Sequence, residues 1–409
     1  MQTHVIVGAG QAGGQAARTM REYGFAGRII IVGDEPHPPH QRPPLSKAVL
    51  LGKIPPEKTH LFKAEWYADN GVELRLQTEV TRIDADTHKL TLHDGSTLDY
   101  DKLLLATGAT LRRLEIPGAD LAAVHYLRRI EDTLQLQSAL QPGRRLVVIG
   151  GGFIGLEVAA SARQLGCEVS VLEAADRLMG RAMDPWLGAY FERLHARNGV
   201  TIRLQQQVSA FEARDGACNV VTAADTLTAD VIVVGIGIVP NDALARQIGA
   251  EVDNGVIVDA QCRTSVPDVF ACGDVACHHN TRFGKRLRLE SWENAQNQAI
   301  AAASTMCGDP ARYDPVPWFW TNQFDVNLQL AGAPPRWDSR VVRGDPDSGP
   351  FTVFYLADDR IVACSAVNNA REMRAARALI EHAVPFTAQQ LQDPETNLIA
   401  LAKEASAAN

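Results

Sequence analysis

The stretch VVIGGGFIGLE, Val147 to Glu157, decides the fold. An apolar run ends in glycines and turns at once into a helix-forming segment, the strand–turn–helix that grips a dinucleotide. Gly150, Gly152 and Gly155 keep the spacing G-x-G-x-x-G. The first glycine permits the tight turn, the second lets a pyrophosphate approach the backbone, and the third lets helix and strand pack closely. The helix N-terminus then offers N–H groups and partial positive charge to phosphates. Outward from this turn, RLVVIG reads as the strand before it, Phe153 to about Leu165 as the helix, and EVSVLE as the next strand. Glu173 ends that strand 18 residues after Gly155, where an acid accepts ribose hydroxyls. Residues 145–173 are a βαβ unit.

The N-terminus carries a second copy. In HVIVGAGQAGG, His4 to Gly14, the glycines are Gly8, Gly10 and Gly13; a helix spans about Gln11 to Tyr23, and RIIIVGDE follows. Asp34 and Glu35 stand 21 and 22 residues after Gly13. One such motif is weak; two, each with strand, helix and acid in register, are a pattern. The Val/Ile/Leu-rich strands suit buried parallel sheets, and each unit predicts its own doubly wound domain. DKLLLATGA (101–109) and ADVIVVGIGIVPN (229–241) close the two halves and are natural crossing points between domains. DVFACGDVA (268–276) adds a strand ending in Gly-Asp. From Trp318, NLQLAG, SRVVRG, PFTVFYL and RIVACSAVN read as antiparallel strands, with an Ala/Arg-rich helix from Asn369 to His382. The expected fold is α/β: two doubly wound dinucleotide-binding domains plus a small α+β C-terminal domain. Residues 1–110 and 240–317 would form the first domain, 111–239 the second and 318–409 the third.

Two dinucleotide sites in one chain imply electron transfer between a nicotinamide that exchanges and an FAD that stays. Hydride donation between them needs placement more than acid–base chemistry. Glu173 would bond a free ribose 2′-OH and repel a 2′-phosphate, favouring NADH over NADPH; Arg177, four residues on, could soften that preference.

Bulk properties narrow the class. A chain of 409 residues exceeds one hydrophobic core, and 46% hydrophobic with 22% charged residues is ordinary for a globular protein. A net charge of −8 disfavours nucleic-acid binding as the main role. There is no 18-residue apolar run, and Met1 runs straight into a strand with no basic leader, so a cytoplasmic location is expected. The seven cysteines (Cys167, Cys218, Cys262, Cys272, Cys277, Cys307, Cys364) form no CxxC pair and no zinc or iron–sulfur spacing, so no metal site is expected. Residues 36–47, PHPPHQRPPLSK, hold no sulfur, and Cys167 stands alone in the second unit, which argues against a redox disulfide shuttle. Phe153 and Gly155 begin a Baeyer–Villiger monooxygenase signature, but Ala159 occupies its histidine position.

The order of HVIVGAGQAGG, RPPLSK (Arg42 to Lys47), LLLATGA, VVIGGGFIGLE, VVGIGIVPN, ACGDVA, ESWENAQNQ (Glu290 to Gln298) and PWFWTNQF (Pro317 to Phe324) resembles the FAD-dependent ferredoxin reductases over nearly the whole chain. Specifically, it resembles the reductase component of bacterial aromatic-ring-hydroxylating dioxygenase systems, relatives of putidaredoxin and rubredoxin reductases with a glutathione-reductase-like fold. The resemblance implies that Gly8, Gly10, Ala12 and Gly13 line the FAD pyrophosphate, with Asp34, next to Glu35, on its ribose. It places Arg42 and Lys47 beside the FAD, Lys47 near the isoalloxazine, where its charge would favour anionic reduced flavin. Val80, Ala106 and Arg128 would add FAD contacts, Gly273 and Asp274 would meet the ribityl chain, and Trp292 would lie at the ring. For NADH, Gly150, Gly152, Ile154 and Gly155 would shape the pocket, Glu157 orient the carboxamide, Glu173 hold the ribose, and Gly237 let the nicotinamide pass the backbone. His40 and Gln41 depart from the aromatic and acid that many relatives carry before RPPLSK.

Plainer readings exist for several of these. Lys47 could be a solvated loop lysine, Glu157 an exposed first-turn carboxylate, Asp274 a helix cap, and Trp292, Trp318 and Trp320 packing aromatics. With no cluster-forming cysteines, the electrons should leave singly to a partner, a [2Fe–2S] ferredoxin of Rieske type feeding a terminal oxygenase. TRFGKRLRLE, with Arg282, Lys285, Arg286 and Arg288, and the helical Arg371, Arg374 and Arg377 are the basic groups expected to steer it. A reductase for rubredoxin or for a cytochrome monooxygenase's ferredoxin, and a non-enzymatic role like that of apoptosis-inducing factor, stay open on sequence.

Overall fold

The computed structural model describes residues 1–214 and 216–407. Two five-stranded parallel sheets carry the two βαβ units. The first runs in the order Val269–Ala271, Lys102–Leu105, Thr3–Val7, Arg28–Val32, Val72–Arg75. The second runs Val200–Arg203, Glu168–Leu172, Arg145–Ile149, Val231–Val234, Val124–His125.

Strand alternation explains why both faces of the first sheet are apolar. Ile6, Ile29, Ile31 and Leu104 pack under the alanine faces of helices Gln11–Glu22 and Trp292–Met306. Their neighbours Val5, Val7, Ile30, Val32, Leu103 and Leu105 bury on the other side. Side chains at successive strand positions point to opposite faces, so a continuous apolar run is what a doubly covered strand needs.

The expected helices hold to within their caps: Gln11–Glu22 ends at Tyr23, Phe153–Gln164 at Leu165, and Ala370–Glu381 lies between Asn369 and His382. Asn369 caps its helix by accepting from Glu372 N. Beside each parallel sheet stands an unforeseen and separate antiparallel meander, Val80–Asp84/Lys89–Leu92/Thr97–Asp99 with the first and Val208–Arg214/Ala217–Thr222/Thr226–Ala229 with the second. Between the two units, Ala109–Leu111 and Ile238–Pro240 pair antiparallel, so the chain's two crossings form one short ribbon.

The C-terminal sheet has the order Trp318–Gln323, Val326–Ala331, Arg360–Val367, Phe351–Ala357, Ser339–Gly344, all antiparallel. Leu328, Phe351 and Val353 on one face join the core of the second parallel sheet. Phe354, Leu356 and Ala366 on the other face pack under helix Ala370–Glu381. This sheet is thus wedged against the body, with its first strand at the mouth of the cleft. Among the described residues no helix is long and apolar enough to cross a membrane.

Candidate functional site

A connected cleft of about 2100 Å³ runs from one glycine turn to the other. Single small-molecule pockets span roughly 300–1,000 Å³, so this volume suits two large ligands. Gly8, Gly10, Ala12, Asp34, Glu35, Arg42, Lys47, Ala106, Arg128, Gly273, Asp274 and Trp292 line it on one side. Gly150, Gly152, Ile154, Gly155, Glu157, Glu173 and Gly237 line it on the other. Two expected residues are not on that lining. Gly13 sits behind the turn, and Val80 is buried at the start of the first meander in the core under the sheet.

The two turns use the same backbone device. Gly8 and Gly150 have φ of +121° and +106°, conformations that side chains rarely adopt. A Cβ on Gly13 would collide with the Gly8 carbonyl, and one on Gly155 with the Gly150 carbonyl. Gly10 and Gly152 instead face open space, leaving room for a phosphate against the backbone. Both helices start at a glycine with no side-chain cap and no acid in the first turn, so the N–H groups of their first turns are left for an anion.

The acids differ. The Asp34 side chain is 57% exposed and pairs with Arg129, whereas that of Glu35 is 9% exposed. Glu35 Oε1 accepts from Arg42 at 2.5 Å; its Oε2 is buried with no partner, 3.8 Å from the equally unpartnered His40 Nε2. Burial opposes ionisation of Glu35, but the charge and hydrogen bond of Arg42, with His40 and Arg129 beyond, hold its pKa below the usual value. Burial, then the Arg42 charge, pushes His40 down to about 4. Both acids line the cleft, Asp34 open to it and Glu35 with its unpartnered oxygen enclosed against His40, while the open face of Gly10 and the uncapped start of helix Gln11–Glu22 fit an FAD pyrophosphate there. Further along, Arg128 pairs with Asp274 at 3.1 Å, and Asp274 lies in a 3-10 turn and caps no helix. On the other side both oxygens of Glu173 are engaged, by Gly151 N at 2.6 Å and Ala175 N at 2.8 Å. Arg177 is held by Asp176 and the Gly180 carbonyl, each at 3.3 Å.

Where the two sides meet, Glu157 is 2% exposed. Its Oε1 accepts from Lys47 Nζ at 2.8 Å and Thr321 Oγ1 at 2.7 Å, and its Oε2 accepts from Ser46 Oγ. Neither Lys47 nor Glu157 is thus a solvated surface charge. Trp292 and Trp320 meet edge to face at 6.0 Å, Trp318 stacks on Trp320 at 5.2 Å, and all three line the cleft. Ser46 and Thr321 stand inside quoted motifs but were not singled out; Ser46 closes the 3-10 turn Pro43–Ser46 and Thr321 precedes two further polar residues in strand Trp318–Gln323, so nothing local marks either.

Three of the seven basic groups are committed elsewhere. Arg282 donates to the Ile380 and Glu381 carbonyls, Arg288 pairs with Glu290 at 2.5 Å with its side chain 7% exposed, and Arg377 pairs with Glu293 at 2.9 Å. Arg286, Arg371 and Arg374 stay exposed, and Lys285 lines the cleft. All seven cysteines are free and six are buried; Cys272, at the cleft wall, has its thiol pushed up by burial. No dithiol is placed to carry electrons.

Two dinucleotide cradles converging on a buried carboxylate–lysine pair define an oxidoreductase of FAD and NAD(H). The comparisons agree. The model for pyridine nucleotide-disulphide oxidoreductases matches residues 2–299, and that for the reductase C-terminal domain matches 318–402. The chain belongs to the pyridine nucleotide-disulphide oxidoreductase family. It is 43% identical to rhodocoxin reductase of Rhodococcus erythropolis, over 96% of this chain and 93% of that protein. It is 44% identical to the ferredoxin–NAD(+) reductase component of the anthranilate 1,2-dioxygenase system of Burkholderia cepacia, over 96% and 98%. The crystal structure of the covalent putidaredoxin reductase–putidaredoxin complex matches with a TM-score of 0.94 at 38% identity, covering 100% of this chain and 98% of that one.

Proposed function

We propose that the protein passes electrons from NADH through FAD, one at a time, to a [2Fe–2S] ferredoxin of Rieske type whose terminal oxygenase hydroxylates an aromatic ring, in the cytoplasm. The observation that carries this reading is the junction at Glu157: two cradles meet there with no redox cysteine beside them. The similarity to an anthranilate dioxygenase reductase component supports the choice of partner.

FAD, when bound, supplies the step that turns one hydride into two single electrons. The chain's residues do the placing. The Gly8–Gly10 turn and helix Gln11–Glu22 receive the FAD pyrophosphate, Asp34 with Glu35 beside it the ribose, and Asp274 the ribityl hydroxyls, with Arg128 fixing that aspartate. The Gly150–Gly152 turn receives the NADH pyrophosphate, and Glu173 its ribose. Lys47 holds positive charge at the ring, where negative charge develops on reduction. Glu157 accepts from the carboxamide and turns the nicotinamide toward the flavin. Trp292 and Trp320 keep water from that junction.

A second reading, a ferredoxin serving a cytochrome monooxygenase, is favoured by the TM-score of 0.94 to a ferredoxin reductase for the CYP199A2 system. The test is NADH-driven reduction of purified Rieske ferredoxins, putidaredoxin-like ferredoxins and a rubredoxin. The expected result is turnover at least about tenfold better with a Rieske ferredoxin. A preference for the putidaredoxin type would select the second reading, and turnover with none of them would defeat both.

A further inference from the structure

Strand Trp318–Gln323 belongs to the C-terminal sheet, yet its side chains reach deep into the body. Thr321 and Gln323, two positions apart and so on one face, are completely buried, as is His195 on helix Pro185–Arg197. They form a chain of hydrogen bonds. Thr321 Oγ1 lies 2.7 Å from Glu157 Oε1, Gln323 Nε2 lies 3.3 Å from Thr321 Oγ1, and Gln323 Oε1 lies 2.8 Å from His195 Nε2.

Chemistry allows this chain one direction. A carboxylate only accepts, so the Thr321 hydroxyl proton must point at Glu157. The Thr321 oxygen is then an acceptor, which Gln323 fills with its amide N–H. The amide oxygen accepts in turn, so His195 carries its proton on Nε2. The reverse amide orientation would set two acceptors face to face at Thr321. His195 Nδ1 has no partner, and burial holds the ring's pKa below its usual value, so the ring stays neutral. Every donor runs toward Glu157.

We propose that the C-terminal domain is part of the hydride-transfer site: Thr321, held by Gln323 and His195, is a positioning residue that fixes the Glu157 carboxylate between Lys47 and the nicotinamide carboxamide. This rests on the reading of Glu157 as the carboxamide acceptor. Glu157 is held from three segments far apart in sequence, by Ser46 and Lys47, by its own helix, and by Thr321. Without the Thr321 hydroxyl, Oε1 answers only to Lys47 and the carboxylate shifts toward the lysine. A charged hydrogen bond in a buried site is among the stronger kinds, and small displacements of a positioning group cost large factors in rate.

The test compares Thr321→Val, which keeps the shape and loses the hydroxyl, with Thr321→Ser, which keeps the hydroxyl, and with Glu157→Gln. FAD content, thermal midpoint, the dissociation constant for NAD+ and the limiting rate of flavin bleaching by NADH are measured on each holoprotein. Thr321→Val should keep FAD and midpoint, bind NAD+ about threefold more weakly and bleach about tenfold more slowly. Thr321→Ser should return both to within about twofold of the parent. A Thr321→Val protein with parental NAD+ affinity and bleaching overturns the proposal, as does a Thr321→Ser protein no better than Thr321→Val. If Thr321→Val does not fold, Gln323→Leu frees the hydroxyl to rotate and should slow bleaching about threefold; a parental rate there overturns the proposal equally. Glu157→Gln separates the two readings. A fast Glu157→Gln protein removes the carboxamide role itself, while a slow one beside a parental Thr321→Val protein removes only the role of Thr321.

Discussion

The two glycine turns are near copies in backbone and opposites in how their acids are used. Gly8 and Gly150 make the same turn, and Gly13 and Gly155 the same close packing. Yet Glu35 keeps a buried oxygen with no protein partner, while Glu173 spends both oxygens on N–H groups of its own loop. A ligand hydroxyl at the first arm meets the exposed Asp34 more readily than that enclosed oxygen. One meeting Glu173 joins an acceptor already served. Sequence repetition supplied two cradles whose carboxylates are held in different ways.

The largest effects should come from breaking each copy at the same point. Gly13→Ala drives a methyl into the Gly8 carbonyl and should yield protein without FAD. Gly155→Ala makes the equivalent collision and should yield yellow protein that NADH bleaches about a hundredfold more slowly. Absorbance spectra of the purified variants check the first, rapid mixing the second. If Gly155→Ala were the colourless one, the assignment of arms would be reversed.

The acids should sharpen the contrast at smaller scale. Glu35→Gln leaves Arg42 without its charged partner and should weaken FAD binding by about tenfold or more. Glu173→Gln should leave FAD untouched and raise the Michaelis constant for NADH a few-fold, while narrowing the preference over NADPH about tenfold. Titrations of apoprotein with FAD and steady-state kinetics with both nucleotides give these values.

A still smaller difference concerns acid. His40 is buried and neutral with a pKa of about 4 against 6.5 for a free histidine. Its contribution to stability is complete above pH 6.5 and is lost as pH falls toward 4, because the unfolded chain takes up the proton first. Glu35, held below 4.5, adds a loss that sets in only as pH falls through that region. The thermal midpoint should decline over this range, and His40→Gln should flatten the decline. It should not abolish it, because His4 and His278 are held at about 4 in the same way. A decline as steep in His40→Gln as in the parent would remove His40 from the account.

What could be read in advance was local. A glycine turn, its strands and its acid lie within about 30 residues and report their fold through φ and spacing alone. The helix caps at Tyr23, Leu165 and Asn369 were equally near at hand. The burial of Glu157 was not, because the groups that hold it lie 110, 111 and 164 residues away. The difference in burial between Asp34 and Glu35 turned on which neighbour points inward toward Arg42, something that adjacent acids do not announce. The internal partners of two basic residues were out of reach for the same reason. Arg377 finds its anion 84 residues off at Glu293, and Arg282 serves carbonyls at the end of a distant helix. The meander Val80–Asp99 does carry its own signs, alternating apolar residues around Asp94-Gly95, which the glycine turns overshadowed.

The most direct measurement is anaerobic rapid mixing of the purified protein, first with NADH and then with ferredoxin, following the flavin's visible absorbance. The account predicts protein that stays yellow through gel filtration, bleaches with NADH to a rate that saturates, and recovers its colour when ferredoxin is added. Protein that loses flavin on the column yet binds nicotinamide irreversibly, or flavin that NADH does not bleach, would contradict it.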